Sequence, residues 1–226
     1  MRMTAAAPPA DAIESLRTIG REFHGRGWSL GTSSNYSVVV SREPLELLVT
    51  VSGKDKSALG RDDFVRVDAG GEVCDGSDRR SSAETLLHCT IAALIPPVGA
   101  VLHTHSPWGT ILSGAELPAG NPVADLRISG YEMLKGLEGI ATHDTEELVP
   151  IFANTQDMPE LAERVRRRFA GLDFAAGRPP LHGFLIARHG LYTWGRDLAA
   201  ARRHVEIFEF LFECVVRSRL LPGSGG

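Results

Sequence analysis

The sequence predicts an α/β fold built on a mixed β-sheet. Stretches with apolar residues at helical spacing alternate with short β-branched or apolar runs, and this alternation keeps no strict strand–helix–strand rhythm. No repeat of fixed period is visible, so a repeat architecture is not indicated. The hydrophobic content of 43% and the charged content of 23% are ordinary for a globular protein and argue against disordered and fibrous classes.

The length of 226 residues favours one large domain over two very small ones. We expect a single domain over residues 11–221, with flexible tails at residues 1–10 and 222–226. The first ten residues contain only a three-alanine apolar stretch before two prolines, which is too short for the core of a secretory signal.

Helical spacing and breaker residues define the elements of the N-terminal half. Asp11 and Glu14 have the spacing of a capping box and precede apolar residues at helical intervals. Prolines 96 and 97 end a second helix, and Ser106 with Pro107 closes the strand after it. The predicted elements are a helix at 11–25, adjacent strands at 38–40 and 45–51, a helix at 82–94 and a strand at 98–105.

The C-terminal half continues the same alternation. Its last segment repeats apolar residues at helical spacing behind an Asp, which is typical of a long amphipathic helix. The predicted elements are helices at 131–137, 158–169 and 197–220, and strands at 148–152 and 183–188.

Charge, cysteine content and hydropathy limit the partners and the compartment. The net charge of −4 argues against a nucleic-acid binder. The longest apolar run outside the first ten residues, 91–95, is far shorter than the roughly 20 residues that a bilayer requires, so we expect no membrane partner. Three cysteines distant in sequence, without a Cys-x-x-Cys pair, favour reduced thiols and a cytoplasmic location.

A His-Thr-His segment at the end of an apolar strand is the sharpest chemical signal. Because side chains alternate along a strand, His103 and His105 project to the same face with Cα atoms roughly 6.6 Å apart, a distance that one metal ion spans. Without further ligands, a chance placement explains the two histidines at least as well as a metal site does. His189 occupies a similar strand end and offers a third imidazole, although a histidine bonded only to backbone fits that position as well. Three imidazoles without paired cysteines favour a catalytic zinc over a structural one.

Three short Gly- and Ser-rich turns are candidates for anion binding. Turns of this kind expose backbone N–H groups, and a helix that begins near Ser82 would add its positive end. None matches a dinucleotide or nucleoside-triphosphate motif, and each is also typical of a plain turn. They are GTSSN at 31–35, VSGK at 51–54 and SSAE at 81–84.

The segments HTHSP at 103–107, RHGLYTWG at 188–195 and the Ser-Ala-Glu at 82–84 resemble the class II aldolase/adducin family over residues 11–217. The resemblance implies a three-layer α/β/α fold with a central mixed, largely antiparallel sheet. Two further stretches, GYEMLKGL at 130–137 and ELVPIFANTQD at 147–157, are similar to a branch of the family that removes water from a ketose 1-phosphate.

Carried over residue by residue, the resemblance implies one zinc ion per subunit and a homotetramer. It implies catalytic roles for Glu132, as acid/base, and for Glu84, beside the metal. Ala83 departs from the serine that aldolases commonly have there, which argues mildly against aldolase activity. The implied zinc ligands are His103, His105 and His189, and the implied contacts of the substrate phosphate are Asn35, Ser52, Gly53 and Ser82.

Two alternatives remain open at this point. A member of the same family acting on another ketose phosphate, as an aldolase or epimerase, would use the same metal. A non-catalytic, adducin-like interaction module would not need the three histidines.

Overall fold

The computed structural model describes residues 10–221. The predicted tails lie outside these residues, except for Ala10, where the first helix begins. The helices are α1 (Ala10–Gly25), α2 (Thr85–Leu94), α3 (Pro107–Glu116), α4 (Met158–Phe169) and α5 (Leu198–Leu220). The strands are β1 (Asn35–Arg42), β2 (Leu45–Thr50), β3 (Phe64–Asp68), β4 (Ala100–Thr104), β5 (Val123–Ser129), β6 (Glu146–Phe152), β7 (Gly183–Ile186) and β8 (Gly190–Gly195).

The eight strands form one sheet in the order β3-β2-β1-β4-β8-β7-β6-β5. Only the β6–β7 pair is parallel among these neighbours, and every other pair is antiparallel. The predicted mixed, largely antiparallel sheet is therefore confirmed.

Alternation along β4 separates the two faces of the sheet. Val101 packs in a core with α2 and α4, whereas Ala100 and Leu102 pack in a core with α1 and α5. Strand β7 repeats the pattern, since Phe184 belongs to the first core and Leu185 packs with α3 and α5. Helices thus cover both faces, and the three-layer α/β/α fold is confirmed. His103 lies on the α2 side because it follows Val101 by two residues.

Several predicted boundaries were wrong. Helix α1 begins at Ala10, so Asp11 lies in its first turn and is not a cap. Helix α2 begins at Thr85 because Ser82 starts a turn in which its carbonyl accepts the Thr85 N–H at 2.9 Å. The segment 131–137 contains a short 3₁₀ helix, Glu132–Gly136, and no α-helix.

Four regular elements were missed, namely α3, β3, β5 and β8. Ser106 and Pro107 do close β4, but they also start α3: the Ser106 hydroxyl accepts the Gly109 N–H, and Pro107 is the first helical residue. The missed strands are only five to seven residues long. Within residues 10–221, no helix is both long and apolar enough to cross a membrane. Cys74, Cys89 and Cys214 are free thiols.

His204 on α5 makes the stability of the fold sensitive to acid. Its ring is buried. Nδ1 donates to the Trp194 carbonyl at 2.7 Å, and Nε2 accepts the Glu138 N–H at 3.3 Å. One nitrogen donates and the other accepts, which is the pattern of a neutral imidazole. Burial and the neighbouring His182 lower the pKa of His204 to about 4. The contribution of neutral His204 to the free energy of unfolding is complete above pH 6.5. As the pH falls toward 4, the protein loses this contribution, which is on the order of 3 kcal/mol.

We therefore expect His204→Gln to flatten the pH dependence of the free energy of unfolding between pH 7 and 4.5. Urea unfolding at several pH values measures this slope. The exposed His143 offers a matched control, since His143→Gln should leave the slope unchanged. Equal slopes for wild type and His204→Gln would contradict the assignment.

Candidate metal centre and anion pocket

Strands β4 and β8 bring three histidines together. His103 is the fourth residue of β4, His105 follows the strand, and His189 lies in the turn that joins β7 to β8. The ring centroids are 4.5 Å apart for His103 and His105, 5.0 Å for His103 and His189, and 4.5 Å for His105 and His189. Rings from two distant parts of the sequence therefore meet at one point of the sheet.

Glu84, the residue before α2, adds a carboxylate to this group. Its Oε1 lies 3.0 Å from His189 Nε2, and its Oε2 lies 3.7 Å from His103 Nε2. One ligand atom from each of the four residues lies within 4.8 Å of the others. We name this group the Glu–His cluster (Glu84, His103, His105, His189).

Glycine allows β8 to approach β4 this closely. A Cβ atom on Gly190, the residue after His189, would lie 2.0 Å from the Thr104 carbonyl oxygen. Any side chain there would push apart the two strands that carry the histidines.

Neighbouring groups fix the orientation of His103. Its Nδ1 donates a hydrogen bond to the Leu191 carbonyl at 2.8 Å, which leaves Nε2 with a free lone pair. The Tyr192 ring stacks on His103 at 4.0 Å between centroids. His103 Nε2 points to the centre of the cluster, 2.8 Å from His105 Nε2.

The electrostatics of the cluster favour a bound cation. Burial and the neighbouring His105 hold the pKa of His103 well below its usual value, and burial with the neighbouring His189 lowers the pKa of His105 to about 4. Both rings are therefore neutral at pH 7, which is the form that binds metal. Burial alone would raise the pKa of Glu84, but the hydrogen bonds from His189 and Asn35 lower it, so this carboxylate is ionised.

A buried hydrogen-bond chain orients Glu84. The Asn35 amide donates from Nδ2 to Glu84 Oε2 at 2.7 Å, and Asn35 Oδ1 accepts from His88 Nε2 in a short contact. His88 Nδ1 lies 2.8 Å from the Ser37 hydroxyl, and burial lowers the pKa of His88 to about 4, so the ring is neutral. His88 thereby determines which way the Asn35 amide faces.

A pocket of about 90 Å³ adjoins the cluster. Two turns and the segment before α2 line it, and Glu84 and His105 form its inner wall. Gly53 has φ +71°, which glycine adopts without strain. The pocket brings together the four residues assigned to the substrate phosphate, Asn35, Ser52, Gly53 and Ser82. A larger cavity of about 600 Å³ meets it at Ser82 and contains no residue of the cluster.

Two residues with left-handed backbone precede site residues. Ser34 has φ +70° before Asn35, and Arg188 has φ +55° before His189. Such a conformation costs on the order of 1–2 kcal/mol for a residue other than glycine. The Arg188 N–H is held by the Ser113 hydroxyl at 3.0 Å, so the surrounding structure maintains the turn that presents His189.

Glu132 lies apart from the cluster in this chain. It follows β5, the edge strand three positions from β8 in the sheet, and its side chain is 68% exposed. Its carboxylate contacts Lys135 at 2.6 Å and His143 at 3.4 Å. Of the residues assigned by sequence, Glu132 is therefore the one that the fold does not bring to the histidines.

Sequence reasoning missed His88, Ser37 and Tyr192 as supports of the site. The sequence offers no reason to assign His88 to the site, apart from its position four residues after Glu84, which is one helical turn. That spacing was the signal available in the sequence. Tyr192 lies in RHGLYTWG, but nothing in the sequence indicates that it stacks on His103.

The fold and the site together define an α/β protein with a candidate metal centre beside a candidate anion pocket. The chain belongs to the class II aldolase and adducin family: the family described as "Class II Aldolase and Adducin N-terminal domain" matches residues 14–216. Among solved structures, an L-fuculose 1-phosphate aldolase has a TM-score of 0.73 at 22% identity, covering 96% of this chain and 92% of that one. The L-fuculose-1-phosphate aldolase of Thermus thermophilus has a TM-score of 0.71 at 22% identity, covering 96% and 99%.

Two more similar relatives carry one name. The methylthioribulose-1-phosphate dehydratase of Marinobacter nauticus is 49% identical over 91% of this chain and 92% of its own length. The protein of the same name from Sorangium cellulosum is 41% identical over 96% of both chains. The predicted family resemblance is confirmed.

Proposed function

We propose that this chain is a zinc-dependent hydro-lyase that converts 5-methylthioribulose 1-phosphate to 2,3-diketo-5-methylthiopentyl 1-phosphate in methionine salvage. The observation that carries the proposal is the Glu–His cluster beside an anion pocket in a chain 41–49% identical to dehydratases of that name. The proposal places the enzyme in the cytoplasm, as a homotetramer with one zinc per subunit.

The donor set of the cluster suits zinc. Imidazole nitrogens and a carboxylate oxygen are usual zinc ligands, and three histidines leave a position for substrate. His103, His105 and His189 would hold the ion, with Glu84 as a fourth ligand or as a base beside it. When bound, the metal supplies Lewis-acid stabilisation of negative charge on a substrate oxygen.

The anion pocket would hold the phosphate of the substrate. The hydroxyls of Ser52 and Ser82 and the backbone at Gly53 offer donors to phosphate oxygens. Asn35 lines this pocket and donates to Glu84, so its amide would link phosphate binding to the orientation of the carboxylate.

Glu132 is our candidate for the proton transfer. Its carboxylate would take the proton from C3, and the same proton would leave with the C4 hydroxyl as water; the enol that remains then tautomerises to the diketone. Acid–base catalysis of this kind contributes typically 10²–10⁴ in rate.

Because one subunit keeps Glu132 away from its own histidines, we place it in the site of a neighbouring subunit. This assignment requires the oligomer that the proposal includes. Ile111 on α3 and Phe210 on α5, 54% and 45% exposed, are apolar side chains on helices that pack together and would suit a subunit contact.

A substrate panel tests the reaction. The zinc-loaded protein is incubated with several ketose 1-phosphates, and diketone and aldehyde are measured separately. We expect diketone from 5-methylthioribulose 1-phosphate and no aldehyde from any member. Aldehyde as the main product would replace the proposal by an aldolase, and no turnover with a filled metal site would favour an adducin-like module.

A further inference from the structure

Lys56 is a lysine with almost no access to solvent. Its exposed fraction is 1%, although lysine is almost never fully buried without a partner. It begins a 3₁₀ helix, Lys56–Ala58, that follows the turn after β2. Nothing in the sequence analysis assigned it a role.

The contacts of its ammonium group are backbone carbonyls. Lys56 Nζ donates to the Lys54 carbonyl at 2.7 Å and lies 3.5 Å from the Thr32 carbonyl. In the described part of the chain, no carboxylate oxygen lies within 4.0 Å of it: Asp55 pairs with His24 and Asp63 pairs with Lys54. A buried charge without a contacting counter-charge is costly, and burial lowers the pKa of Lys56 to about 8.

The two carbonyls belong to the two turns that enclose the anion pocket. Thr32 lines the pocket itself, and Lys54 directly follows Gly53, which also lines it. The Lys56 ammonium therefore lies behind the pocket wall and ties one turn to the other. No carboxylate contacts the ammonium, and Asp55, Asp63 and Glu84 attract it only from a longer distance, so a dianion in the pocket would add the close negative charge.

We propose that Lys56 is the buried counter-charge and positioning residue of the phosphate pocket. It holds the 31–35 and 51–54 turns in register and attracts a phosphoryl group through the wall, without touching the reacting carbons. This inference rests on the proposed function for the identity of the phosphorylated substrate, but not for the existence of an anion site.

The variant Lys56→Met tests the inference by removing the charge and keeping most of the volume. We expect the affinity of the zinc-loaded protein for inorganic phosphate, measured by titration calorimetry, to fall at least about tenfold. With substrate, KM should rise by a similar factor while kcat stays within threefold. Thermal unfolding should show only a small change in stability, because loss of the hydrogen bonds to the two carbonyls opposes the gain from no longer burying a charge.

A matched control is Arg17→Met. Arg17 donates to the Leu59 carbonyl at 2.6 Å and so holds the same segment from the α1 side, away from the pocket. We expect unchanged phosphate affinity in this variant. If Lys56→Met does not fold, Lys56→Gln keeps a donor for the Lys54 carbonyl and removes only the charge, with the same expected loss.

The outcomes separate the two proposals. Equal phosphate affinity in the wild type and the Lys56 variant overturns the inference alone. Absence of phosphate binding to the wild type overturns both the inference and the phosphate pocket. Lys56-dependent phosphate binding in a protein that forms no diketone supports the inference and overturns the proposed reaction.

Discussion

The variant His103→Gln is expected to lose most of its bound metal and at least about 10⁴-fold in dehydration rate, equivalent to roughly 5.5 kcal/mol of transition-state stabilisation. His103 is the one fully buried histidine of the Glu–His cluster, and its Nε2 lies 2.8 Å from His105 Nε2 and 3.7 Å from Glu84. Its Nδ1 is already committed to the Leu191 carbonyl, so only Nε2 is available to a metal. Replacing His103 therefore removes the best-oriented nitrogen ligand of the cluster.

Metal analysis of protein purified without added zinc, together with single-substrate kinetics, measures both effects. The control is His24→Gln, which removes a partly exposed histidine that pairs with Asp55 outside the cluster. We expect the His24→Gln variant to keep its bound metal and its dehydration rate. A His103→Gln protein that is folded, nearly metal-free and fully active would disprove the metal-dependent reaction.

Glu132→Gln is expected to slow dehydration about 10²- to 10⁴-fold while metal content and phosphate affinity stay unchanged. The physical reason is that Gln keeps the shape of the side chain but cannot accept the C3 proton. Kinetics and metal analysis on the same sample separate this effect from loss of the metal. Glu163→Gln, on the exposed side of α4, is the control and should retain full activity.

The same variant tests the assignment of Glu132 to a neighbouring subunit. Mixed oligomers of Glu132→Gln and His103→Gln subunits would contain some sites with an intact Glu132 and an intact cluster. We expect such mixtures to recover activity that neither variant has alone. Full turnover by Glu132→Gln would refute the catalytic role, and an inactive mixture of reassociated subunits would refute the shared site.

Local patterns in the sequence predicted much of the fold. Helix α4 has the predicted bounds, Met158–Phe169, because a capping Asp157 and a regular apolar stripe act within a few residues. The same-face projection of His103 and His105 also follows from local geometry, since alternation along a strand needs no tertiary information. The three missed strands depend on pairing partners, and periodicity over so few residues does not identify them.

By itself, the sequence determined the amphipathic helices, the His-x-His pair, the Gly- and Ser-rich turns and the family. Only the tertiary structure decided that β4 pairs with β8, which brings His189 to residues more than eighty positions earlier in the chain. It also decided that Glu84 faces the histidines and that His88 orients Asn35. The packing likewise buries Lys56 behind the pocket and leaves Glu132 away from the histidines of the chain. Burial, pKa and the meeting of distant side chains depend on how the layers pack, and local spacing along the chain contains no information about that packing.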